Sequence, residues 1–362
     1  MLIGIVGLPL SGKTTLFNAL TGSRIHVDPF GGRRETHRAV VQVPDPRLHK
    51  LAEIFLPEKL TPATVEYVDT AGVRESDRAR GGLDDELLGY LRTVDEILLV
   101  LRAFRNPNVP HPRGEINPVR DAEQLLSDLL ISDLAIVEAR VARLEKSVPK
   151  SHNEAERLEL EILRPFQRTL EEGKPLRSLP LEPEERKAVR GYGFLTLKPT
   201  LLVLNLDESD LPRSEDLVHQ LDRFRSDPAT STLALCAQIE MEIAQLDPAD
   251  RQTFLEDLGL PEPAMSRLIR ASYELLGLVT FFTYESREVR AWTIPQGTPA
   301  RRAAGTIHSD MERGFIRAEV VSYDDLVRCG SIAKCRESGA LRLEGKDYLV
   351  RDGDIITFRF AA

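Results

Sequence analysis

Residues 7–14 read Gly-Leu-Pro-Leu-Ser-Gly-Lys-Thr. This is the spacing G-x-x-x-x-G-K-[ST], and no other feature limits the fold as tightly. Residues 2–6 (LIGIV) form an apolar run that suits a buried parallel strand, and residues 14–20 (TTLFNAL) read as a helix. A strand, a glycine-rich turn and a helix in that order make a phosphate cradle. Glycines let backbone N–H groups converge on anionic oxygens, and the helix N-terminus adds the positive end of its dipole. The cradle is Gly7, Leu8, Pro9, Leu10, Ser11 and Gly12. The spacing gives Lys13 the β- and γ-phosphates, gives the Thr14 hydroxyl a Mg²⁺ ion, and sets Thr15 beside the α-phosphate.

A second element follows at residues 65–72, VEYVDTAG. A mostly apolar strand ending in Asp, then Thr-Ala-Gly, is the pattern of a Walker B strand running into a switch. Asp69 is expected to hold Mg²⁺ through a water, and the Gly72 N–H to sense the γ-phosphate. The next residue is Val73. Ras-like enzymes carry a Gln there to orient the attacking water. Valine neither donates nor accepts a hydrogen bond, so another group positions the water or hydrolysis is very slow.

The third element is residues 201–208, LLVLNLDE. Guanine recognition in this superfamily uses N-K-x-D, in which the Lys stem packs on the base and the Asp accepts from the guanine N–H groups. Here the Lys is missing and the last acid is one methylene longer. A relaxed or adenine-tolerant base site is expected, built from Asn205, Leu206 and Glu208 with Cys236 near it.

Strand candidates at 39–43, 65–68, 97–101, 201–204 and 233–235 alternate with helical stretches, as in an open doubly wound α/β sheet. About a hundred residues separate 97–101 from 201–204, too many for one crossover. Within them Leu126, Leu130, Leu134, Val137, Val141 and Leu144 form a coiled-coil-like seam. Leu163, Phe166 and Leu170 carry a second helix, with a kink expected at Pro165 and a stop at Gly173 and Pro175. The division expected is a nucleotide domain at 1–111 and 196–278, an inserted helical hairpin at 112–195, and a small mixed α/β module at 279–362.

Charge narrows the partners. Lys plus Arg is 48 against 57 for Asp plus Glu, a net charge of −9, so the chain as a whole does not attract polyanions. The final module is near neutral. Its basic residues Arg287, Arg290, Arg301, Arg302, Arg313 and Arg317 read either as a solvated face or as an RNA-binding patch. Three scattered cysteines, Cys236, Cys329 and Cys335, make neither a disulfide framework nor a zinc site. No apolar run reaches the ~18 residues of a membrane span, and no leader is evident, so a soluble, cytoplasmic protein is expected. No segment signals an oligomeric state.

Taken together these residues resemble the YchF/Obg-like ATPase family, P-loop NTPases with a C-terminal TGS domain. The resemblance extends through 43–48 (VPDPRL) with 62–66 (PATVE), 117–121 (NPVRD), 269–278 (IRASYELLGL) and 288–294 (EVRAWTI). It continues through 305–308 (GTIH) and 345–348 (GKDY). It covers nearly all 362 residues. It implies a P-loop domain with a coiled-coil insertion, and a ubiquitin-like β-grasp (TGS) fold for 279–362. It also implies ATP with Mg²⁺ as ligands, ATPase activity often with some GTP activity, and association with ribosomes through the helical and TGS parts. The family carries Asn-x-x-Glu, as at Asn205 and Glu208, and an apolar residue in place of the catalytic Gln, as at Val73. A family histidine ahead of the coiled coil assists the water, and His111 occupies its place.

Two positions depart from the family pattern. Leu10 stands where an Asn oxygen can help bind a monovalent cation, which leaves potassium stimulation open. The first switch reads Pro29-Phe30-Gly31-Gly32-Arg33-Arg34-Glu35-Thr36, with no Thr at the Mg²⁺ position. Arg33 or Arg34 is either a cis arginine for the phosphates or part of a solvated loop. Three functions stay open on the sequence: a slow ribosome-associated ATPase, a nucleotide-binding scaffold with little hydrolysis, and a guanine-preferring GTPase.

Overall fold

The computed structural model describes residues 1–22, 36–69, 83–150, 153–225, 227, 229–285 and 287–361. The expectations for Gly72, Val73, Arg33 and Arg34 fall outside the described residues. The chain divides into two compact units, each taken by itself: Met1–Ala39 with Glu66–Met265, and Val40–Val65 with Ser266–Ala362.

The first unit is built on a six-stranded sheet in the order β2-β4-β1-β5-β6-β7. Its strands are β1 (Leu2–Val6), β2 (His37–Gln42), β4 (Thr64–Asp69), β5 (Glu96–Arg102), β6 (Thr200–Asn205) and β7 (Thr230–Leu235). The pairs β1–β4, β1–β5, β5–β6 and β6–β7 are parallel. Every residue of β5 and β6 is buried, which explains their unbroken apolar runs: a parallel sheet covered on both faces leaves no polar side. The order doubles back around β1, and the loop between β1 and the helix Lys13–Thr21 opens at that switch point.

The insertion is a hairpin of two long helices, Pro118–Ser147 and Glu154–Glu171. Asn117 caps the first by accepting from the Arg120 N–H. The expected seam is corrected in its first half. The fully buried positions there are Leu125, Leu129 and Asp133; Leu126, Leu130 and Leu134 are half-buried, Leu126 against the core of the sheet and Leu130 and Leu134 against that of the hairpin. The helix changes partner along its length. Ala122, Leu125 and Leu129 belong to the core of the sheet, whereas Val137, Val141 and Leu144 join Leu163, Phe166 and Leu170 in a separate core. One straight stripe cannot face both; the buried positions advance by four from Leu125 to Val141, so the buried line turns about 40° round the 3.6-residue helix at each step and passes from one core to the other. Pro165 lies inside the second helix, which continues through it. The carbonyl its ring deprives of a partner belongs to Glu161, an exposed residue.

Asp133 marks the changeover. It is fully buried and accepts from Leu195 N, Thr196 N and Thr196 Oγ1 at 3.1, 2.8 and 2.8 Å and from Arg92 Nη1 at 2.8 Å. Further out, Arg140 grips Glu159 across the hairpin at 2.6 Å, and Tyr192 donates to the same carboxylate.

The second unit carries β3 (Lys59–Thr61), β8 (Leu278–Glu285), β9 (Glu288–Pro295), β10 (Phe315–Ser322), β11 (Arg342–Glu344) and β12 (Asp354–Phe360), in the sheet order β11-β10-β12-β8-β9-β3. The first strand β8 runs parallel to the last, β12, and the helix Ala300–Ile307 packs on Phe281, Ile294 and Val320. That strand order and helix make a β-grasp. Residues 40–65 join this unit: β3 pairs with β9, Arg47 binds Asp352 at 2.6 Å, and Phe55 stacks on Tyr284.

Candidate functional site

The glycines of residues 7–14 are required by space. A Cβ on Gly7 would lie 2.4 Å from the Val100 carbonyl oxygen, and one on Gly12 2.2 Å from Asn205 Nδ2. Gly12 also has φ +94°, a left-handed backbone that caps the helix Lys13–Thr21. Leu10 adopts φ +64° without being glycine, so the turn holds a strained residue at its tip.

The Lys13 ammonium folds back into the loop and donates to the Gly7 and Leu8 carbonyls at 3.0 and 2.9 Å. Burial lowers its pKa to about 8, and the nearby Asp69 charge works against that fall. A buried cation held by two neutral carbonyls is a ready partner for a phosphate oxygen, which would neutralise it. The Thr14 hydroxyl donates to Asp69 Oδ2 at 2.8 Å, while Asp69 Oδ1 is buried with no hydrogen-bond partner among the described residues. Burial raises the Asp69 pKa. A hydroxyl and a carboxylate with a spare buried oxygen, beside the cradle, are the hard oxygen donors that Mg²⁺ takes. These residues therefore fit both a triphosphate and Mg²⁺. Thr15 is half-buried on the next position of the helix.

Asn205 ends β6 and joins two elements. Its Nδ2 donates to the Ser11 carbonyl at 3.0 Å, and its Oδ1 accepts from the Ala237 N–H at 3.0 Å. The side chain thus pins the phosphate loop to the turn that carries Cys236. Leu206 is buried and donates its N–H to the Leu235 carbonyl. Glu208 is exposed and opens the 3₁₀ turn Glu208–Arg213. The Cys236 thiol is buried, and burial pushes its pKa up, so it stays a protonated thiol. Asn205, Leu206 and Cys236 are brought together, and Glu208 stands at the outer rim.

His111 is 7% exposed, in a loop clamped by Arg102. The Arg102 guanidinium, 3% exposed, donates to the Phe104 and Val109 carbonyls at 3.2 and 2.7 Å and stacks on the Phe104 ring. His111 Nε2 lies 3.0 Å from Asp121 Oδ2, close enough for an ion pair, although the angle leaves that oxygen without an aligned hydrogen bond. Nδ1 accepts from the Arg113 N–H at 3.2 Å. Burial lowers the His111 pKa more than Asp121 raises it, so the ring is neutral near pH 7. The sequence reading named neither Arg102 nor Asp121. The Asn-Pro-Val-Arg-Asp run that caps the long helix was the available signal, because it sets an acid in the first turn, where the helix dipole favours it.

Among the described residues, no cluster of His, Cys, Asp and Glu forms a further metal site, and no helix is long and apolar enough to cross a membrane.

Comparison with known proteins agrees across the whole chain. A family model described as "50S ribosome-binding GTPase" matches residues 2–137, and the model YchF-GTPase_C, described as "Protein of unknown function (DUF933)", matches residues 278–361. The "Ribosome-binding ATPase YchF" of Pasteurella multocida is 43% identical over 99% of this chain and 98% of its own length. The proteins of the same name from Bacillus subtilis and Escherichia coli O157:H7 are 42% and 41% identical, each over 99% of this chain and 98% of their own. The solved structure of the Schizosaccharomyces pombe YchF GTPase superposes with a TM-score of 0.84 at 28% identity, covering 99% of this chain and 97% of that one. A phosphate cradle at the switch point of a parallel sheet, an inserted helical hairpin, a C-terminal β-grasp and full-length relatives lead to one assignment: the chain belongs to the YchF family of P-loop nucleotide-binding proteins.

Proposed function

We propose that this protein binds ATP with Mg²⁺, hydrolyses it slowly, and works as a cytoplasmic, ribosome-associated switch. The observation that carries the nucleotide part is the buried Lys13 ammonium, held by the Gly7 and Leu8 carbonyls of its own loop beside the Thr14–Asp69 pair. In this reading the cradle of Gly7 to Gly12 receives the phosphates. Lys13 moves from the carbonyls of its own loop to the β- and γ-phosphate oxygens. Thr14 and Asp69 hold Mg²⁺, Thr15 meets the α-phosphate, and the Gly72 N–H meets the γ-phosphate. When bound, Mg²⁺ supplies positive charge against the charge that develops on the transferred phosphoryl group.

Water attack needs a group to orient it, and Val73 supplies none. His111 is the chain's own candidate, with Lys13 and the loop amides stabilising negative charge. Low intrinsic turnover follows from the missing Gln. Adenine is preferred because Asn-Leu-Asp-Glu lacks the Lys that packs on guanine and sets a longer acid at its end. The ribosome part rests on relatives at 41–43% identity that carry "ribosome-binding ATPase" in their names, with the hairpin and the β-grasp as the contact surfaces.

A guanine preference is the second reading, favoured by the S. pombe relative's description as a GTPase. Competition calorimetry of ADP against GDP separates the two. A tenfold preference for GDP, about 1.4 kcal/mol, overturns the adenine assignment. Lys13→Ala should abolish turnover in a single-turnover assay with or without ribosomes; turnover equal to that of the parent chain overturns the catalytic assignment.

A further inference from the structure

We infer that Asp121 is the positioning residue of His111: its carboxylate charge, 3.0 Å from Nε2, keeps the ring proton on that nitrogen and so leaves Nδ1 as the nitrogen that accepts from water. The inference rests on the reading of His111 as the water-positioning group and adds which atom acts and what orients it.

The geometry is one-sided. Asp121 is 2% exposed and its two oxygens have separate tasks. Oδ1 is held by Arg120 through Nε at 3.2 Å and Nη2 at 3.0 Å. Oδ2 faces His111 Nε2 at 3.0 Å. A carboxylate next to one ring nitrogen fixes the proton there, because an unprotonated nitrogen would meet it with a lone pair. The other nitrogen then carries the lone pair. Among the described residues it accepts from the N–H of Arg113, two residues away, at 3.2 Å, which agrees with a lone pair on Nδ1 and the proton on Nε2.

The surroundings show why the ring needs holding. His111 and Asp121 line a narrow crevice with Ser11 of the phosphate loop and Arg102. The crevice is too narrow to admit a whole water. Ser11 Oγ and Arg102 Nη1 are buried there without hydrogen-bond partners among the described residues. The ring thus lines one crevice with the phosphate loop, and burial opposes its imidazolium most; of the groups that face it, Asp121 favours the charged form, while Arg102 and Arg120 oppose it. A neutral His111 with a defined tautomer can take a hydrogen bond from water at Nδ1; an imidazolium cannot.

The test uses the full chain, with histidine nitrogens read by heteronuclear NMR and turnover measured with ATP and Mg²⁺ across pH. In the parent protein His111 should show a protonated Nε2 and a bare Nδ1. Asp121→Asn should scramble the tautomer and lower turnover about 10–100-fold, the loss typical when the outer partner that orients a functional histidine is changed. Removing the charge also lowers the His111 pKa further, so the acid limb of the pH profile should move to lower pH. Asp121→Glu should restore the tautomer and most of the rate. A bare Nε2 in the parent chain, or an Asp121→Asn variant with parental tautomer and pH profile, overturns the proposal. If His111→Ala hydrolyses ATP as the parent does, the reading of His111 itself falls, and this proposal with it.

Discussion

The contact between Gly12 and Asn205 can be tested by removing one partner at a time and then both. Gly12→Ala is penalised twice. An L residue at φ +94° costs roughly 1–2 kcal/mol. The new methyl would also overlap Asn205 Nδ2 at 2.2 Å, which costs a further ~1–3 kcal/mol of displacement. Asn205→Ala has its own cost. It strips two hydrogen bonds and leaves the Ser11 carbonyl and the Ala237 N–H unsatisfied, about 1–3 kcal/mol each. In the double variant the overlap disappears because there is no amide to meet. The pair should therefore be less damaging than the sum of the singles by about 1–3 kcal/mol. Native-state hydrogen exchange on the amides of Leu16 to Leu20 reads the opening free energy of this helix directly and avoids treating two compact units as one transition. Strict additivity, within ~0.5 kcal/mol, would refute the claim that Asn205 is what forbids a side chain at position 12.

Three further outcomes are expected. Asp133→Asn replaces an acceptor of four donors with a group that donates, so thermal melting should show a loss of about 3–5 kcal/mol and exchange protection should fall at Leu195 and Thr196. Leu163→Ala, in the outer core of the hairpin, should cost about 2–5 kcal/mol of hairpin stability while ATP affinity by calorimetry stays within twofold of the parent. Glu159→Gln probes pH. The hydrogen bond from Arg140 holds the Glu159 carboxyl below its ordinary range, so the pair stabilises the hairpin above the unfolded carboxylate value of about 4.3 and fades as pH falls through the folded value. The melting temperature of the variant should lie below the parent's at pH 7 and meet it at strongly acid pH; a gap that persists there contradicts the pairing.

How far the sequence reaches differs from element to element. Residues 7–14 are legible because the constraint is local: a glycine is needed wherever a Cβ would strike the Val100 carbonyl or the Asn205 amide, and that need is written at the same position. The strands of the parallel sheet are legible because burial on both faces demands unbroken apolar runs. The change of partner along the long helix is not legible, because apolar spacing reports that a face is buried and not by what. The capture of residues 40–65 by the β-grasp depends on a three-residue strand meeting one more than two hundred positions away, a pairing with no local signature. Arg102 and Asp121 escape for a related reason. Charged residues read as surface in a sequence, and only the fold reveals that a carbonyl pair or an imidazole has taken the place of water around them.

The thirty-residue helix Pro118–Ser147 starts beside His111 and ends at the outer tip of the hairpin, with Asp133 clamped between. At 1.5 Å per residue, Asp133 is a fulcrum with about 18 Å of rod on the side of Asp121 and about 21 Å on the side of Ser147. A tilt of about 5° that carries the tip some 1.8 Å would swing Asp121 by roughly 1.6 Å the other way, further than a 3.0 Å contact to an imidazole survives. Ala122, Leu125 and Leu129 anchor the inner arm in the core of the sheet, so the packing that seats the helix is also what keeps the carboxylate beside the histidine.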